Sequence, residues 1–273
     1  MRIDMIWIIF VPIVLLLLRL LTLRGKRSDS SFYGLGSYHY AHRGLHSDTV
    51  PENSMTAFSL AVSRGYGAEL DVHLTKDRKL VVFHDETLVR MTGDNRRVEQ
   101  CTYAELSQLR LKDTDERIPL LQEVLPLFEG KTPLIIELKA VKGNHAALAR
   151  RVCKLLDDFP KLQFCTESFD PRVLRWLKKH RPEIVRGQLS CNFIRTRSGL
   201  PLPLAFFLTG LWMNFLTVPH FVAYRFSDRK RLAVRLCRLL WGTKLVAWTV
   251  HTDEEKDAAL SEHMPIIFEH ILP

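Results

Sequence analysis

From about residue 38 onward, short apolar runs that suit β-strands alternate with stretches in which apolar residues recur at helical spacing. The strand candidates are residues 39–43, 68–72, 80–83, 134–138, 162–165, 184–189, 221–224, 245–250 and 266–268. Helical patterns lie between most of them, at residues 54–63, 103–109, 120–128, 145–157, 171–179, 229–241 and 253–261. Regular alternation of this kind predicts an α/β fold with a parallel sheet, and a (β/α)8 TIM barrel has the usual size. A doubly wound sheet is the alternative.

The nine strand candidates outnumber the eight strands of such a barrel. One of them is therefore misassigned or lies outside the barrel. We expect it to be the run from Phe221 to Tyr224.

The N-terminal segment is apolar over a length that would cross a bilayer. Between Met5 and Leu23 only Arg19 is charged, and a membrane-spanning helix needs about 20 apolar residues. We predict a single transmembrane helix in which Arg19 snorkels to the interface. A buried core helix and a cleaved signal peptide are the alternatives, but no small-residue cleavage site precedes the basic cluster that follows.

Basic residues follow this predicted helix directly. Arg24, Lys26 and Arg27 outnumber Arg2 on the other side, and positively charged flanks stay on the cytoplasmic side of a membrane. We therefore expect a single-pass membrane protein whose C-terminal domain is cytoplasmic. Its parts are an anchor with a basic flank, a small polar linker and a barrel domain, at residues 1–27, 28–36 and 37–273.

A second uncharged stretch covers residues 199–224, where Asp, Glu, Lys and Arg are all absent. A membrane crossing here would place neighbouring strands of one barrel on opposite sides of the bilayer, so we exclude a second span. Two interpretations remain: an outer-ring helix packed on the barrel, or an apolar helix at 204–216 that lies against the bilayer. The second interpretation makes the membrane a partner of the barrel domain.

Composition narrows the classes of protein to consider. The 273 residues are 47% hydrophobic and 25% charged, which favours a folded chain over a disordered one. The 39 Lys and Arg against 30 Asp and Glu give a net charge of +9, which suits nucleic acid, an anionic membrane or a phosphorylated substrate. The five cysteines contain no C-x-x-C pair, so they indicate neither a disulfide framework nor a zinc site.

Acidic residues occur on two of the apolar strand candidates. Glu69 and Asp71 are two residues apart and point to the same face of a strand, and Glu137 and Lys139 repeat that spacing. Carboxylates aimed at a barrel axis are costly to bury unless they are paired or hold a metal. Three of them from neighbouring strands would hold a hard divalent cation, Mg²⁺ or Ca²⁺. The alternative is a set of ion pairs at the strand ends.

Two histidines lie where strand candidates become loops. His42 ends the run that starts at Tyr38, and His84 ends the run that starts at Leu80. Imidazole titrates near neutral pH, so one histidine can take a proton from a nucleophile while the other gives a proton to a leaving alkoxide. Arg43 would neutralise phosphate charge, and Glu52 and Asn53 would complete a phosphoester site.

These residues lie in motifs that resemble the glycerophosphodiester phosphodiesterase family. The motifs run in the family's order from about Tyr38 to the C-terminus: AHRG, PEN, ELDVHLTKD, VVFHDETLVRMTG, IPLLQEVL, LIIELK, ESFDP and AWTVHT. The resemblance implies a TIM barrel, a divalent cation, and hydrolysis of glycerophosphodiesters to an alcohol and glycerol 3-phosphate. The expected membrane setting favours lysophospholipid-like diesters. Whether water or a neighbouring glycerol hydroxyl attacks phosphorus is left open.

The same resemblance implies a role for each candidate residue. The acid and base are His42 and His84; the metal ligands are Glu69, Asp71, Glu137 and a further acidic residue, Glu52; the substrate-binding residues are Arg43, Lys139, Asn53 and Trp248. The C-terminal IIFEHILP departs from the family's Thr-Asp at the closing strand, where Glu269 is the candidate replacement. The neighbouring His46 and His73 are not expected to take part in proton transfer.

A membrane-anchored, metal-dependent phosphodiesterase is thus the predicted function. The alternative is a catalytically inactive barrel that binds phosphodiester lipids at the membrane, although such a barrel would have little reason to keep both histidines and three carboxylates. A nucleic-acid-binding protein is disfavoured because the sequence shows no helix-turn-helix, RNA-recognition or zinc-finger pattern.

Overall fold

The computed structural model describes the backbone of residues 2–26 and 34–273, and the side chains of residues 8–26 and 34–273. Within these ranges the chain forms a closed barrel of eight parallel strands with helices around it, which confirms the predicted TIM barrel. The predicted linker lies mostly outside the described residues, because 28–33 is not among them. Arg27 of the predicted basic flank also lies outside them.

Nine strands form one sheet in the described part of the chain. They are β1 (Tyr40–Ala41), β2 (Gly67–Leu74), β3 (Leu80–Val82), β4 (Leu134–Leu138), β5 (Phe164–Ser168), β6 (Arg186–Ser190), β7 (Phe221–Arg225), β8 (Lys244–Val250) and β9 (Ile266–Phe268). Strand β1 pairs in parallel with both β2 and β9, and these pairings close the barrel.

The strand outside the barrel is β3, so the prediction that residues 221–224 would be the outsider is wrong. Strand β7 covers those residues and pairs with both β6 and β8. Strand β3 folds back on the end of β2 as an antiparallel hairpin, in which Val72 pairs with Val82 and Leu74 with Leu80. The hairpin can form because β2 has eight residues and β4 only five, so that β2 continues past the edge of its barrel neighbour.

Side chains from alternate strand positions fill the barrel interior. The buried cluster there includes Tyr40, Ile135, Cys165, Val185, Phe221, Val246 and Ile267. Gly187 makes room for the Phe221 ring, because a Cβ at position 187 would lie 2.2 Å from that ring. This packed interior supports the polar residues at the C-terminal ends of the strands.

Helices follow most of the strands and pack apolar faces on the outside of the sheet. They are α1 (Arg2–Thr22), α2 (Met55–Ser63), α3 (Val89–Thr92), α4 (Tyr103–Leu106), α5 (Leu121–Phe128), α6 (His145–Leu156), α7 (Pro171–His180), α8 (Leu202–Thr209), α9 (Asn214–Thr217), α10 (Leu232–Trp241) and α11 (Asp253–Ser261). The residue after the PEN motif begins α2 as its cap: the Ser54 hydroxyl accepts a hydrogen bond from the Ala57 N–H at 3.2 Å.

Helix α1 does not support the predicted transmembrane anchor. In the described part of the chain no helix is both long and apolar enough to cross a membrane, so the prediction of a single-pass membrane protein with a cytoplasmic domain is wrong. The end of α1 packs on the barrel instead, where Trp241 Nε1 donates to the Leu20 carbonyl at 3.3 Å. Arg19, which we expected to snorkel, donates from Nη2 to the Gly210 carbonyl at 2.7 Å and lies over the Trp212 ring.

The uncharged segment at 199–224 is divided among α8, α9 and β7. Helix α8 buries only Ala205 and Thr209, whereas Leu202 and Phe206 are 72% and 52% exposed. The helix therefore touches the barrel along one edge and presents an apolar surface elsewhere. The expectation that this surface lies against a bilayer stays a prediction.

Candidate active site

The candidate residues meet at the C-terminal end of the barrel, where strands of a parallel barrel deliver their side chains and loops to one face. The strand register aligns Asp71 on β2 with Glu137 on β4, and Glu137 with Glu167 on β5. Acidic side chains from three neighbouring strands therefore lie in one row across the sheet.

Glu69, Asp71 and Glu137 form a tight carboxylate cluster. Each side chain is buried, and each offers an oxygen within 4.8 Å of the oxygens of the other two. Burial, together with repulsion from Asp71 and Glu137, holds the pKa of Glu69 well above its usual range. Burial would also raise the pKa of Asp71. The cations Lys139 and Arg43 outweigh this effect and hold the Asp71 pKa well below its usual value.

Lys139 and Asn53 bind directly to this carboxylate cluster. Lys139 Nζ lies 3.0 Å from Asp71 Oδ1 and 2.8 Å from Glu137 Oε2. Burial alone would lower the pKa of Lys139, but the two carboxylates raise it above the normal lysine value. Asn53 Nδ2 donates to Asp71 Oδ2 at 2.8 Å. Asn53 holds this position with a φ of 55°, a left-handed conformation that asparagine tolerates better than most residues.

Glu167 is a member of the site that the sequence analysis missed. Its side chain is buried beside Glu137, and its Oε2 makes no hydrogen bond to any residue that the structure describes. Burial, and then repulsion from Glu137, raises the pKa of Glu167 well above its usual range. The ESFDP motif contains this residue, but only the strand register shows that it lies beside Glu137.

The charge balance of the site fits a divalent cation. Some of the ion pairs that the sequence analysis gave as the alternative to a metal site are present: Lys139 pairs with Glu137, and Arg43 Nε lies 3.6 Å from Asp71. Four buried carboxylates nevertheless face these two cationic side chains, and Glu167 keeps a buried oxygen without a hydrogen bond among the described residues. Clustered carboxylate oxygens are the ligands that Mg²⁺ and Ca²⁺ prefer.

Glu52, predicted as a fourth metal ligand, lies in a network of arginines next to the cluster. Arg43 Nη1 donates to Glu52 Oε1 at 2.8 Å. Arg90 donates to both Glu52 oxygens, at 2.7 and 2.8 Å, so the contact is bidentate. The role of Glu52 as a ligand stays a prediction. What its contacts show is that it orients the Arg43 side chain beside Asp71.

His42 lies between the carboxylate cluster and the C-terminal strand. Its Nδ1 is 3.0 Å from Glu269 Oε2, and its Nε2 is 3.9 Å from Glu69 Oε2. Burial lowers the pKa of His42 even though the hydrogen bond to Glu269 opposes the shift. A carboxylate can only accept, so Glu269 fixes the proton on Nδ1 and leaves Nε2 able to accept a proton.

His84 is held by a chain of polar contacts with Asp85 and Arg90. Its Nδ1 lies 2.6 Å from Asp85 Oδ1, and Arg90 Nε donates to Asp85 Oδ2 at 2.7 Å. Beneath it, His73 is fully buried; its Nε2 donates to the His84 carbonyl at 3.2 Å and its Nδ1 is 2.8 Å from Glu99. His73 thus supports the backbone that carries His84, a contact that the sequence analysis did not anticipate.

A cleft of about 360 Å³ opens beside His84. Its walls include Glu137, Lys139 and the aromatic ring of Phe169. Trp248 packs edge-to-face on Phe169 with ring centroids 5.6 Å apart, and its Nε1 donates to the Ala223 carbonyl at 2.9 Å. Trp248 therefore supports one wall of the cleft through Phe169.

The sequence profile of the Glycerophosphoryl diester phosphodiesterase family matches residues 42–264, a range that begins at His42 and contains most of the barrel. The chain belongs to this family. Membership, together with the relatives described next, identifies it as a phosphodiesterase and confirms the predicted enzyme class.

Related proteins and a related solved structure support the assignment to this family. A glycerophosphodiester phosphodiesterase of Caldanaerobacter subterraneus subsp. tengcongensis is 32% identical over 227 residues, which are 80% of this chain and 87% of that protein. A lysophospholipase D of Homo sapiens is 37% identical over 154 residues, which are 52% of this chain and 46% of that protein. The solved phosphodiesterase of Oleispira antarctica, in complex with its product sn-glycerol-3-phosphate, is similar with a TM-score of 0.71 at 25% identity, covering 86% of this chain and 94% of that one.

Proposed function

We propose that this phosphodiesterase hydrolyses glycerophosphodiesters to an alcohol and sn-glycerol 3-phosphate, with a divalent cation and with His42 and His84 as proton-transfer residues. The observation that carries the proposal is the buried cluster of Glu69, Asp71 and Glu137 beside His42 at the barrel mouth. The named function of the bacterial relative and the product bound in the solved relative support the substrate class.

The carboxylate cluster would hold the cation. Bound to Glu69, Asp71 and Glu137, Mg²⁺ or Ca²⁺ would neutralise charge on the phosphate oxygens. Asn53 fixes the Asp71 carboxylate through its hydrogen bond, and this contact keeps the ligand oxygens from rotating away from one another.

His42 is suited to accept a proton. Its lowered pKa keeps the ring neutral near pH 7, and the hydrogen bond from Nδ1 to Glu269 leaves the lone pair on Nε2. The nucleophile that it activates is water or the neighbouring glycerol hydroxyl; attack by the hydroxyl would expel the alcohol and form a cyclic glycerol phosphate, which water would then open to glycerol 3-phosphate. A positioned acid or base of this kind contributes about 10²- to 10⁴-fold to the rate.

His84 is suited to protonate the leaving alkoxide. Asp85 holds its Nδ1, and Arg90 in turn holds Asp85, so that Nε2 is the ring nitrogen left for substrate. The adjacent cleft, which His84 lines, would give a substrate access to this nitrogen.

Arg43 and Lys139 would bind phosphate oxygens of the substrate. Both are cations in contact with Asp71, and they lie next to the oxygens that would hold the metal. Trp248, packed against Phe169 beside the cleft, would bound the space for the glycerol moiety.

The proposal can also address whether the substrate carries an acyl chain. The human relative is named a lysophospholipase D, and the exposed apolar side chains of α8 offer a surface for an acyl chain. We therefore extend the proposal to lysophospholipid-like diesters. The comparison to make is product release from glycerophosphocholine and from lysophosphatidylcholine under identical conditions.

The test of the proposed function is the release of glycerol 3-phosphate by the purified protein. We expect release in the presence of Mg²⁺ or Ca²⁺, loss on addition of EDTA, and recovery when either cation is restored in excess. Glu137→Gln should abolish release, whereas the control Asp158→Asn, on the exposed surface after α6, should not. Release that is indifferent to EDTA would contradict the metal dependence. No release from any diester would favour the inactive lipid-binding barrel.

A further inference from the structure

Four histidines surround Glu269 at the end of β9. The nitrogens of His42, His46, His270 and His251 lie 3.0, 3.1, 3.4 and 3.9 Å from its carboxylate oxygens, respectively. His42 faces Glu269 with Nδ1 and the carboxylate cluster with Nε2. The histidine group therefore has no residue in common with the carboxylate cluster, and His42 lies between the two.

The three inner members of this group have the arrangement of a metal site. His42 Nδ1, His46 Nε2 and a Glu269 oxygen all lie within 4.8 Å of one another. The two nitrogens approach different oxygens of the carboxylate, at 3.0 and 3.1 Å. Ligands of a tetrahedral Zn²⁺ ion are roughly 3.3 Å apart, given Zn–N and Zn–O distances of about 2.0 to 2.2 Å. Small side-chain movements would therefore admit an ion.

His46 supplies a further indication of a ligand. Its side chain is only 10% exposed, and its Nε2 lies 3.1 Å from Glu269 Oε1 without the alignment of a hydrogen bond. A buried nitrogen that is poorly aligned with its nearest acceptor can bind a cation placed between the two groups. The spacing of His42 and His46, H-x₃-H, is also one at which histidines bind zinc.

We propose that His42 Nδ1, His46 Nε2 and Glu269 form a second metal site, which takes a borderline transition-metal ion such as Zn²⁺. Two imidazoles and one carboxylate suit such an ion, whereas the all-carboxylate cluster of Glu69, Asp71 and Glu137 suits Mg²⁺ or Ca²⁺. The two sites therefore differ in the kind of cation that each selects.

Occupancy of the second site would inhibit the enzyme. This consequence rests on the proposed function, in which His42 Nε2 accepts a proton. An ion on Nδ1 displaces the hydrogen bond to Glu269, and the single proton of the neutral ring must then reside on Nε2. His42 could no longer act as a base, so Zn²⁺ would block turnover while the carboxylate cluster kept its own cation.

Equilibrium binding of Zn²⁺ alone, without substrate, tests the site. Calorimetric titration is carried out in excess Mg²⁺, which occupies the carboxylate cluster. We expect one Zn²⁺ per wild-type chain, and at least about tenfold weaker binding by His46→Gln and by Glu269→Gln, since loss of one ligand should cost no less than loss of a supporting contact. His180→Gln, at the exposed end of α7, is the matched control and should bind as wild type does. Circular dichroism confirms that each variant is folded.

Inhibition supplies the second measurement. In the wild type, glycerol 3-phosphate release should be half-inhibited at the Zn²⁺ concentration that half-saturates the site. In His46→Gln, the Zn²⁺ concentration needed for half-inhibition should rise by the same factor as the dissociation constant for Zn²⁺. Wild-type affinity in both His46→Gln and Glu269→Gln, or no Zn²⁺ binding by the wild type, would overturn the proposed site. Because binding is measured without substrate, Zn²⁺ bound through these residues in a protein that releases no product would refute the proposed function and leave the site standing.

Discussion

Replacing Lys139 with Met removes the ammonium group that bridges two members of the carboxylate cluster. Lys139 Nζ contacts Asp71 at 3.0 Å and Glu137 at 2.8 Å. Methionine keeps an unbranched apolar chain of similar size, so the substitution changes charge far more than packing. Lys139→Met therefore tests how strongly the buried carboxylates repel one another.

The expected loss of stability follows from this burial. Removing one partner of a buried charge pair costs about 3 to 5 kcal/mol, because the other charge is left without compensation. We expect the lower end of this range, since burial already raises the pKa of Glu137 and that of Glu69. A proton on either carboxyl can then replace part of the lost positive charge.

A divalent cation should reverse much of this loss. The ammonium group of Lys139 contacts oxygens of Asp71 and Glu137, the same two residues that are proposed to bind the cation. Because the variant lacks this competing positive charge, it should bind Mg²⁺ more tightly than the wild type. A cation at a hundredfold excess over its dissociation constant stabilises the folded state by about 2.7 kcal/mol. Turnover should nevertheless fall, because Lys139 is a proposed phosphate contact.

Urea unfolding followed by circular dichroism, in EDTA and in excess Mg²⁺, measures both effects. Lys161→Met, on the exposed surface before β5, is the control and should leave the free energy of unfolding unchanged in both conditions. If Lys139→Met is as stable as the wild type in EDTA, the carboxylates do not depend on the ammonium group. If Mg²⁺ stabilises the variant no more than the wild type, Lys139 and the cation do not compete for the same oxygens.

Three further outcomes follow from the contacts in the structure. His84→Ala should lower kcat by about 10²- to 10⁴-fold, and an unchanged kcat in steady-state assays would remove His84 from the proton transfer. His73→Ala should also lower kcat, whereas His73→Gln, whose amide can still donate to the His84 carbonyl, should retain more activity; equal losses would show that this hydrogen bond does not position His84. Gly187→Ala would place a Cβ 2.2 Å from the Phe221 ring and should lower the free energy of unfolding by about 1 to 3 kcal/mol in urea; wild-type stability would mean that the ring can move aside.

Much of the candidate site follows from local spacing. In a strand, residues two apart share a face, so the pairing of Glu69 with Asp71 on one face could be derived without any knowledge of partners. Alternation of strand and helix likewise predicted the barrel, and with it the end at which His42 and Glu137 lie. These features depend on backbone geometry within a few residues.

Other features depend on which distant segments pack together. Nothing in the short apolar runs distinguishes β7, which is paired on both edges, from β3, which folds back on β2. The α1 segment has the composition of a membrane helix, but where its Arg19 side chain binds depends on Gly210 and Trp212, which lie far along the chain.

The same physical reason separates what the sequence determined about the site from what the tertiary structure decided. Sequence spacing determined that Glu69 and Asp71 face the barrel mouth together. The register between strands decided that Glu167 joins them, and closure of the barrel between β1 and β9 brought Glu269 to His42. Side-chain direction along one strand is a local property of the backbone, whereas contacts between strands arise only when the whole core packs, and residues far apart in the chain carry no local signal of that contact.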